Sequence, residues 1–137
     1  MTEQQRIDLV KYRIELANST LAEIADQKRL GYYNTAVNRM YYACYYAAIA
    51  LLIAYGKEVK SHAGVRTSLS LNFIKTGILP EDFGAFYSLI FSKRSSGDYE
   101  DFITHNEETV DSLMPQVNQF VQTISHIVYD WLSENNN

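Results

Sequence analysis

The sequence predicts an all-α protein, an up-down bundle of four to five helices, on three observations. Six glycines and two prolines in 137 residues leave too few chain-turning positions for a turn-rich all-β fold. Apolar residues recur at alternating three- and four-residue steps along most of the chain, the period of a helix with one buried face. The sixteen positions from Met40 to Tyr55 carry no charge at all. A helix there offers water almost none of its circumference, so it belongs at the centre of a bundle, or at the centre and in a dimer seam as well.

Each element follows from its own residues. Ile7, Val10, Ile14, Ala17, Leu21 and Ile24 form the stripe of a first helix, with Arg6, Lys11, Glu15, Glu23 and Lys28 off it. Gly31 suits a left-handed stop after Arg29 and Leu30. The second helix, Tyr32 to Tyr55, has one face of Tyr33, Val37, Met40, Cys44, Ala47, Leu51 and Ala54, and another of Tyr41, Tyr45, Ala48 and Leu52. Its alanines let neighbours approach closely, while its tyrosines fill wider gaps and carry hydroxyls toward polar partners. Gly56-Lys57 ends it.

Ser61 is the expected N-cap of a third helix through Lys75, with Val65, Leu69 and Phe73 at four-residue steps, closed by Gly77 and Pro80. A fourth starts at Glu81-Asp82, where carboxylates favour the positive end of the helix dipole. It buries Phe83, Phe86, Tyr87, Ile90 and Phe91, and Ser95-Ser96-Gly97 is expected to loosen or end it. Thr104 with Glu107 reads as a capping box for the last helix, whose stripe runs through Val110, Leu113, Met114, Val117, Phe120, Val121, Ile124, Val128 and Trp131. Pro115 either kinks that helix or opens a new one. No β alternation, internal repeat or linker interrupts the chain. Residues 1–137 are therefore read as one domain with its core over about 6–131 and a frayed Asn135-Asn136-Asn137 tail.

Composition narrows the function classes. Twelve basic against sixteen acidic residues give a net charge of −4, which argues against a broad nucleic-acid surface and leaves room for a local basic site. Cys44 is alone, so it forms neither an intramolecular disulfide nor a cysteine metal cluster, and is expected in the core. Three scattered histidines without acidic partners at ligand spacing give no metal signature. No Gly-rich phosphate loop, Gly-x-Ser-x-Gly elbow or paired-cysteine motif is present, and no cofactor is expected. The charged start has no apolar h-region, and the longest apolar stretch falls short of the ~20 residues of a membrane span, so the cytoplasm is the expected location and no membrane contact is expected.

The polar residues before the apolar stretch are the most informative. Asn34, Asn38 and Arg39 lie within two turns ahead of it. Asn38 shares a face with Tyr41, Tyr42 and Tyr45, and Arg39 with Thr35, Tyr42 and Tyr46. A guanidinium at the rim of a packed helix needs an anion or several acceptors. An ion pair to Asp98 or Glu100 is the simpler expectation, and phosphate binding is the alternative. Arg94 and Asp98, four apart, form an ordinary surface pair if the helix continues. With Gly97 weakening that geometry, Arg94 beside Tyr99 is free for a phosphate and a stacked base. His62 at a helix start is expected to cap or pack, His105 to belong to the cap of the last helix, and His126 to sit on its exposed face.

Four separated motifs occur in order: Tyr32-Tyr33-Asn34-Thr35-Ala36-Val37-Asn38-Arg39-Met40-Tyr41-Tyr42-Ala43, then Ser61-His62-Ala63-Gly64-Val65, then Lys75-Thr76-Gly77, then Arg94 with Asp98-Tyr99. Together they resemble HEPN domains (higher eukaryotes and prokaryotes nucleotide-binding), in their small prokaryotic branch, over about Arg6 to Trp131. The resemblance implies a helical bundle that dimerises, a minimal nucleotidyltransferase as genomic partner, often as toxin and antitoxin, and contact with nucleotide or RNA. Catalytic members of the family are metal-independent ribonucleases with an arginine, four to six intervening residues, and a histidine, one copy from each dimer partner. Here ten residues stand between Arg94 and His105, and Asp98-Tyr99 occupies the start of the histidine region. A carboxylate there repels RNA phosphate rather than stabilising a developing charge.

The expectation is therefore a non-catalytic, homodimeric HEPN-type module that binds a partner protein and nucleotide or RNA. Its polar-site candidates are Asn38, Arg39, Tyr42, Ser61, His62, Arg94, Asp98 and Tyr99. The alternatives are a ribonuclease toxin with a divergent motif, using Arg94 with His62 or His105, and a purely structural partner subunit.

Overall fold

The computed structural model describes residues 1–135. Among them are five α-helices and no strand: α1 (Glu3–Arg29), α2 (Tyr33–Ala54), α3 (His62–Leu69), α4 (Asp82–Tyr99) and α5 (Glu107–Asn135). A π-helical turn, Ser70–Ile74, continues α3. The fold is all-α, as the apolar periodicity predicts.

Helix α1 opens with a reciprocal cap. Thr2 Oγ1 accepts the Gln5 N–H at 3.1 Å, and Gln5 Oε1 accepts the Thr2 N–H at 2.8 Å. Its buried stripe is Ile7, Val10, Ile14, Ala17 and Ile24, with Thr20 buried beside them. Gly31, at φ +80°, turns the chain into α2 in a conformation that a side chain would strain.

Helix α2 packs against α1, α4, α5 and α3. Ala43, Ala47, Ala48 and Ala50 are completely buried. The expectation that water claims almost none of this helix requires correction. Tyr42, Tyr45, Tyr46, Ile49 and Ile53 are half-exposed, and four of them, 42, 46, 49 and 53, follow one line at steps of four, three and four. The neighbouring helices leave this line uncovered, and the first turns of α2, with Thr35 exposed and Arg39 half-exposed, are open as well.

Ser61 caps α3 as predicted, its hydroxyl accepting the Gly64 N–H at 2.9 Å. The expected single helix through Lys75 instead widens at Ser70, where the Lys75 N–H reaches back to the Ser70 carbonyl at 2.9 Å. Leu69 and Phe73 remain buried on either side of that change.

Two expectations about the C-terminal half are corrected. Helix α4 does not stop at Ser95-Ser96-Gly97 but runs on to Tyr99. Helix α5 is capped by Asn106, not Thr104: Asn106 Oδ1 accepts the Thr109 N–H at 2.9 Å and the Thr109 hydroxyl at 3.0 Å. Next to Thr104, Asn34 holds the His105 N–H, so the first free helical donors face Asn106. Pro115 lies inside one continuous helix, and no new helix begins there. Asn135 is its last residue and donates to the Trp131 carbonyl at 2.8 Å. Residues 136 and 137 of the expected frayed tail lie outside the described residues.

Candidate functional site

The start of α2 and the end of α4 are tied together by two asparagines one turn apart. Asn34 Nδ2 donates to the carbonyls of Gly97 (3.1 Å) and Ile103 (3.2 Å), and Asn34 Oδ1 accepts the His105 N–H at 2.7 Å. Asn38 Nδ2 donates to Asp98 Oδ2 at 2.8 Å. The same carboxylate oxygen lies 3.1 Å from Arg94 Nε. Because α4 stays helical through Gly97, Arg94 and Asp98 meet at the i,i+4 spacing, yet this is no ordinary surface pair: the Arg94 side chain is only 11% exposed.

Arg94 is engaged on three sides. Nη2 donates to the Tyr42 hydroxyl at 2.9 Å and the Tyr99 hydroxyl at 3.2 Å. The guanidinium carbon stands 5.4, 5.2 and 5.1 Å from the ring centres of Tyr41, Tyr42 and Tyr99. Arg39 is placed differently. Its Nε and Nη2 donate to Asn38 Oδ1 at 3.1 and 2.7 Å, and its guanidinium lies over Tyr42 at 5.2 Å. The expected ion pair from Arg39 to Asp98 or Glu100 does not form; Asn38 stands between, and Asp98 pairs with Arg94 instead. Among the described residues Arg39 has no carboxylate partner.

His62 joins this cluster from α3. Its Nδ1 shares a hydrogen bond with the Tyr41 hydroxyl at 2.5 Å, and its ring stacks on Tyr45 at 4.4 Å between centroids. Burial, and then the Arg94 charge, hold the imidazole below its ordinary value. Burial pushes the Tyr41 hydroxyl up to about 12. Both groups are therefore neutral near pH 7, as suits a packing contact that hooks α3 onto α2. Ser61 is committed to the α3 cap and Tyr99 is largely exposed beyond Arg94.

His105 does not cap α5, as was expected of it. It is 8% exposed, and its Nε2–H donates to the Lys93 carbonyl at 2.8 Å, with the ring against Gly97. His126 lies on the exposed face of α5 as predicted. Cys44 is fully buried, and burial pushes its thiol up. Among the described residues no group of three His, Cys, Asp or Glu is placed to hold a metal ion, and no helix is long and apolar enough to cross a membrane.

Six of the eight polar-site candidates thus meet on one side of the α2–α4 contact: Asn38, Arg39, Tyr42, His62, Arg94 and Asp98, with Tyr99 at its edge. Two organising residues were not among them. Asn34 could have been found from its four-residue offset to Asn38. Tyr41 reads as core, and only its three-residue offset from Asn38 hinted that its hydroxyl faces polar company.

Comparison with known proteins places this geometry in context. The family model of the HEPN domain matches residues 10–127. A UPF0332 protein from Thermotoga maritima is 35% identical over 97 residues, 71% of this chain and 74% of its own. A protein of Methanocaldococcus jannaschii described as a candidate toxin is 33% identical over 113 residues, 81% of this chain and 82% of its own. A second candidate toxin of that organism is 29% identical over 101 residues, 74% of this chain and 69% of its own.

Proposed function

The chain belongs to the HEPN domain family, and from that membership we propose that it is a non-catalytic HEPN-type module that self-associates and binds a partner protein. The observation that carries the reading is the state of its basic and imidazole groups. Arg94 faces Asp98 and two tyrosine hydroxyls, and the His105 ring is held under the α4 backbone. A metal-independent ribonuclease needs both an arginine free to meet a developing phosphorane charge and an imidazole free to move a proton. Arg39, half-exposed over Tyr42 and without a carboxylate, is the cation best suited to touch a nucleotide or RNA phosphate. The uncovered line of α2 supports self-association, and the family resemblance names a minimal nucleotidyltransferase as the partner class.

A specific observation favours a second reading, a ribonuclease toxin. His62 and Arg94 both lie on Tyr41, and a neutral imidazole is a competent base; two relatives are described as candidate toxins. One experiment separates the two. Purified protein is incubated with labelled RNA in excess chelator, beside Arg94→Ala, and each is expressed in growing cells. Intact RNA, no growth arrest and co-purification with a neighbouring nucleotidyltransferase are expected. Metal-free cleavage that disappears in Arg94→Ala would install the second reading instead.

A further inference from the structure

A groove of about 630 Å³ lies between the first turns of α1, the last turns of α2 and the segment 57–61. Tyr45, Ile49 and Ile53 floor it, and Arg6, Arg13, Lys57 and Lys60 are among its walls. In a chain of net charge −4, a third of the basic residues stand around this one hollow. The Nε atoms of Arg6 and Arg13 are buried without a hydrogen-bond partner. Arg6 and Lys60 have one carboxylate each, Glu3 and Glu58, while Arg13 and Lys57 pair with none among the described residues. An apolar floor between cationic walls fits an apolar group that carries acids beside it.

Such a segment occurs at the opposite end of the molecule. The loop after α4 reads Glu100-Asp101-Phe102-Ile103. Phe102 is fully exposed and sits at φ +63°, the left-handed region that costs a bulky L-residue about 1–2 kcal/mol. Glu100 and Asp101 make no ion pair in their own chain, among the described residues. A strained aromatic held out in water directly after two unpaired carboxylates has the form of a docking knob.

The loop is tied to the start of α2, where Asn34 bonds the Ile103 carbonyl. The groove adjoins the end of that helix, at Ile53 and Gly56. Twenty-two residues of α helix separate them by about 33 Å, so the loop cannot reach its own groove. We propose that a second copy of this chain lies antiparallel on the 42-46-49-53 line of α2, each copy seating Phe102, with Glu100 and Asp101, in the cationic groove of the other. The proposal rests on the self-association proposed above and says how it is built. The four-three-four spacing is that of a helix pairing with a helix. A parallel pair would set groove against groove and loop against loop, like charge on like charge. The antiparallel pair satisfies both loops at once through a two-fold axis and closes without forming a filament.

The test is sedimentation of the full chain with charge exchanged between loop and groove. Asp101→Lys and Lys57→Asp are exposed substitutions that leave the fold intact, and each alone is expected to weaken the dimer by about tenfold or more. Combined in one chain they restore it. A mixture of Phe102→Cys and Ile53→Cys chains is expected to form a heterodimeric disulfide, since Cys44 is buried. A wild-type dimer indifferent to both single substitutions, or weakened by each and not restored by the pair, overturns the loop-in-groove contact while self-association stands. A wild-type monomer overturns both.

Discussion

A Cβ at Gly97 would stand 2.9 Å from both Cδ2 and Nε2 of His105. The missing side chain and the buried imidazole therefore occupy one space between them. Helix α4 continues through the glycine because its backbone there is roofed by the His105 ring, bonded to the Lys93 carbonyl one turn back, and by Asn34 on the Gly97 carbonyl. This contact sets the path of the 100–106 segment and keeps His105 away from any solution role.

Gly97→Ala tests that contact by sign. In an open helix the change stabilises by ~1 kcal/mol. Here the overpacking against the ring costs ~1–3 kcal/mol, so a net loss of stability is expected in urea unfolding. In a His105→Ala background the same substitution becomes neutral or stabilising. A stabilising Gly97→Ala in the wild-type chain contradicts the packing.

Asp98→Asn removes the charge that Arg94 and Asn38 share. The Asp98 side chain is 23% exposed, so the loss is expected at about 1 kcal/mol, above the few tenths of a fully exposed i,i+4 pair. If the cluster is a structural tie only, thermal stability drops while RNA or nucleotide affinity is unchanged. A rise in affinity, with Arg94 released toward phosphate, would mark it as a binding site.

Stability should fall in acid through His62. Burial and Arg94 depress its folded value below the ordinary 6.5, so below that pH the unfolded chain takes up a proton that the folded one resists. Stability is full above this window, declines as pH falls through it, and levels off beneath the folded value. Unfolding free energies of wild type and His62→Gln, measured from pH 8 to pH 5, are expected to converge as the pH drops. Parallel curves contradict the assignment.

Cys44 lies at the centre of α2 with its thiol wholly enclosed and shifted up by burial. Thiolate chemistry at this position requires the bundle to open. Labelling by an aromatic disulfide reagent is expected to track global unfolding across a denaturant series, and fast labelling of the native protein would show that α2 is less enclosed here.

Much of this architecture was legible in the sequence because its signals are local. The stripe of α1, the Ser61 cap, the left-handed Gly31 and the helix ends at Gly56 and Gly77 each depend on a few neighbouring residues. What stayed hidden depends on contacts distant along the chain. Ser95-Ser96-Gly97 reads as a breaker until His105 is placed against it, and Thr104-Glu107 reads as a capping box until Asn34 claims the backbone beside it. The π turn after Leu69 leaves no mark in apolar spacing. In the candidate site, Asn38, Arg39, Arg94 and Asp98 were found from their spacing, and of the two pairings offered for Asp98 the one with Arg94 forms, while Asn38 stands between Arg39 and Asp98. The uncovered line on α2 escaped because tyrosine and isoleucine look the same whether a neighbouring helix of this chain or a second chain covers them.

That line carries the central claim, that the half-exposed face of α2 is an interface and not a wetted surface. Sedimentation equilibrium of the wild type beside Tyr46→Glu, with helix content followed by circular dichroism, tests it most directly. A wild-type dimer and a folded, monomeric variant are expected. A wild-type monomer, or a Tyr46→Glu chain that stays dimeric, would contradict it.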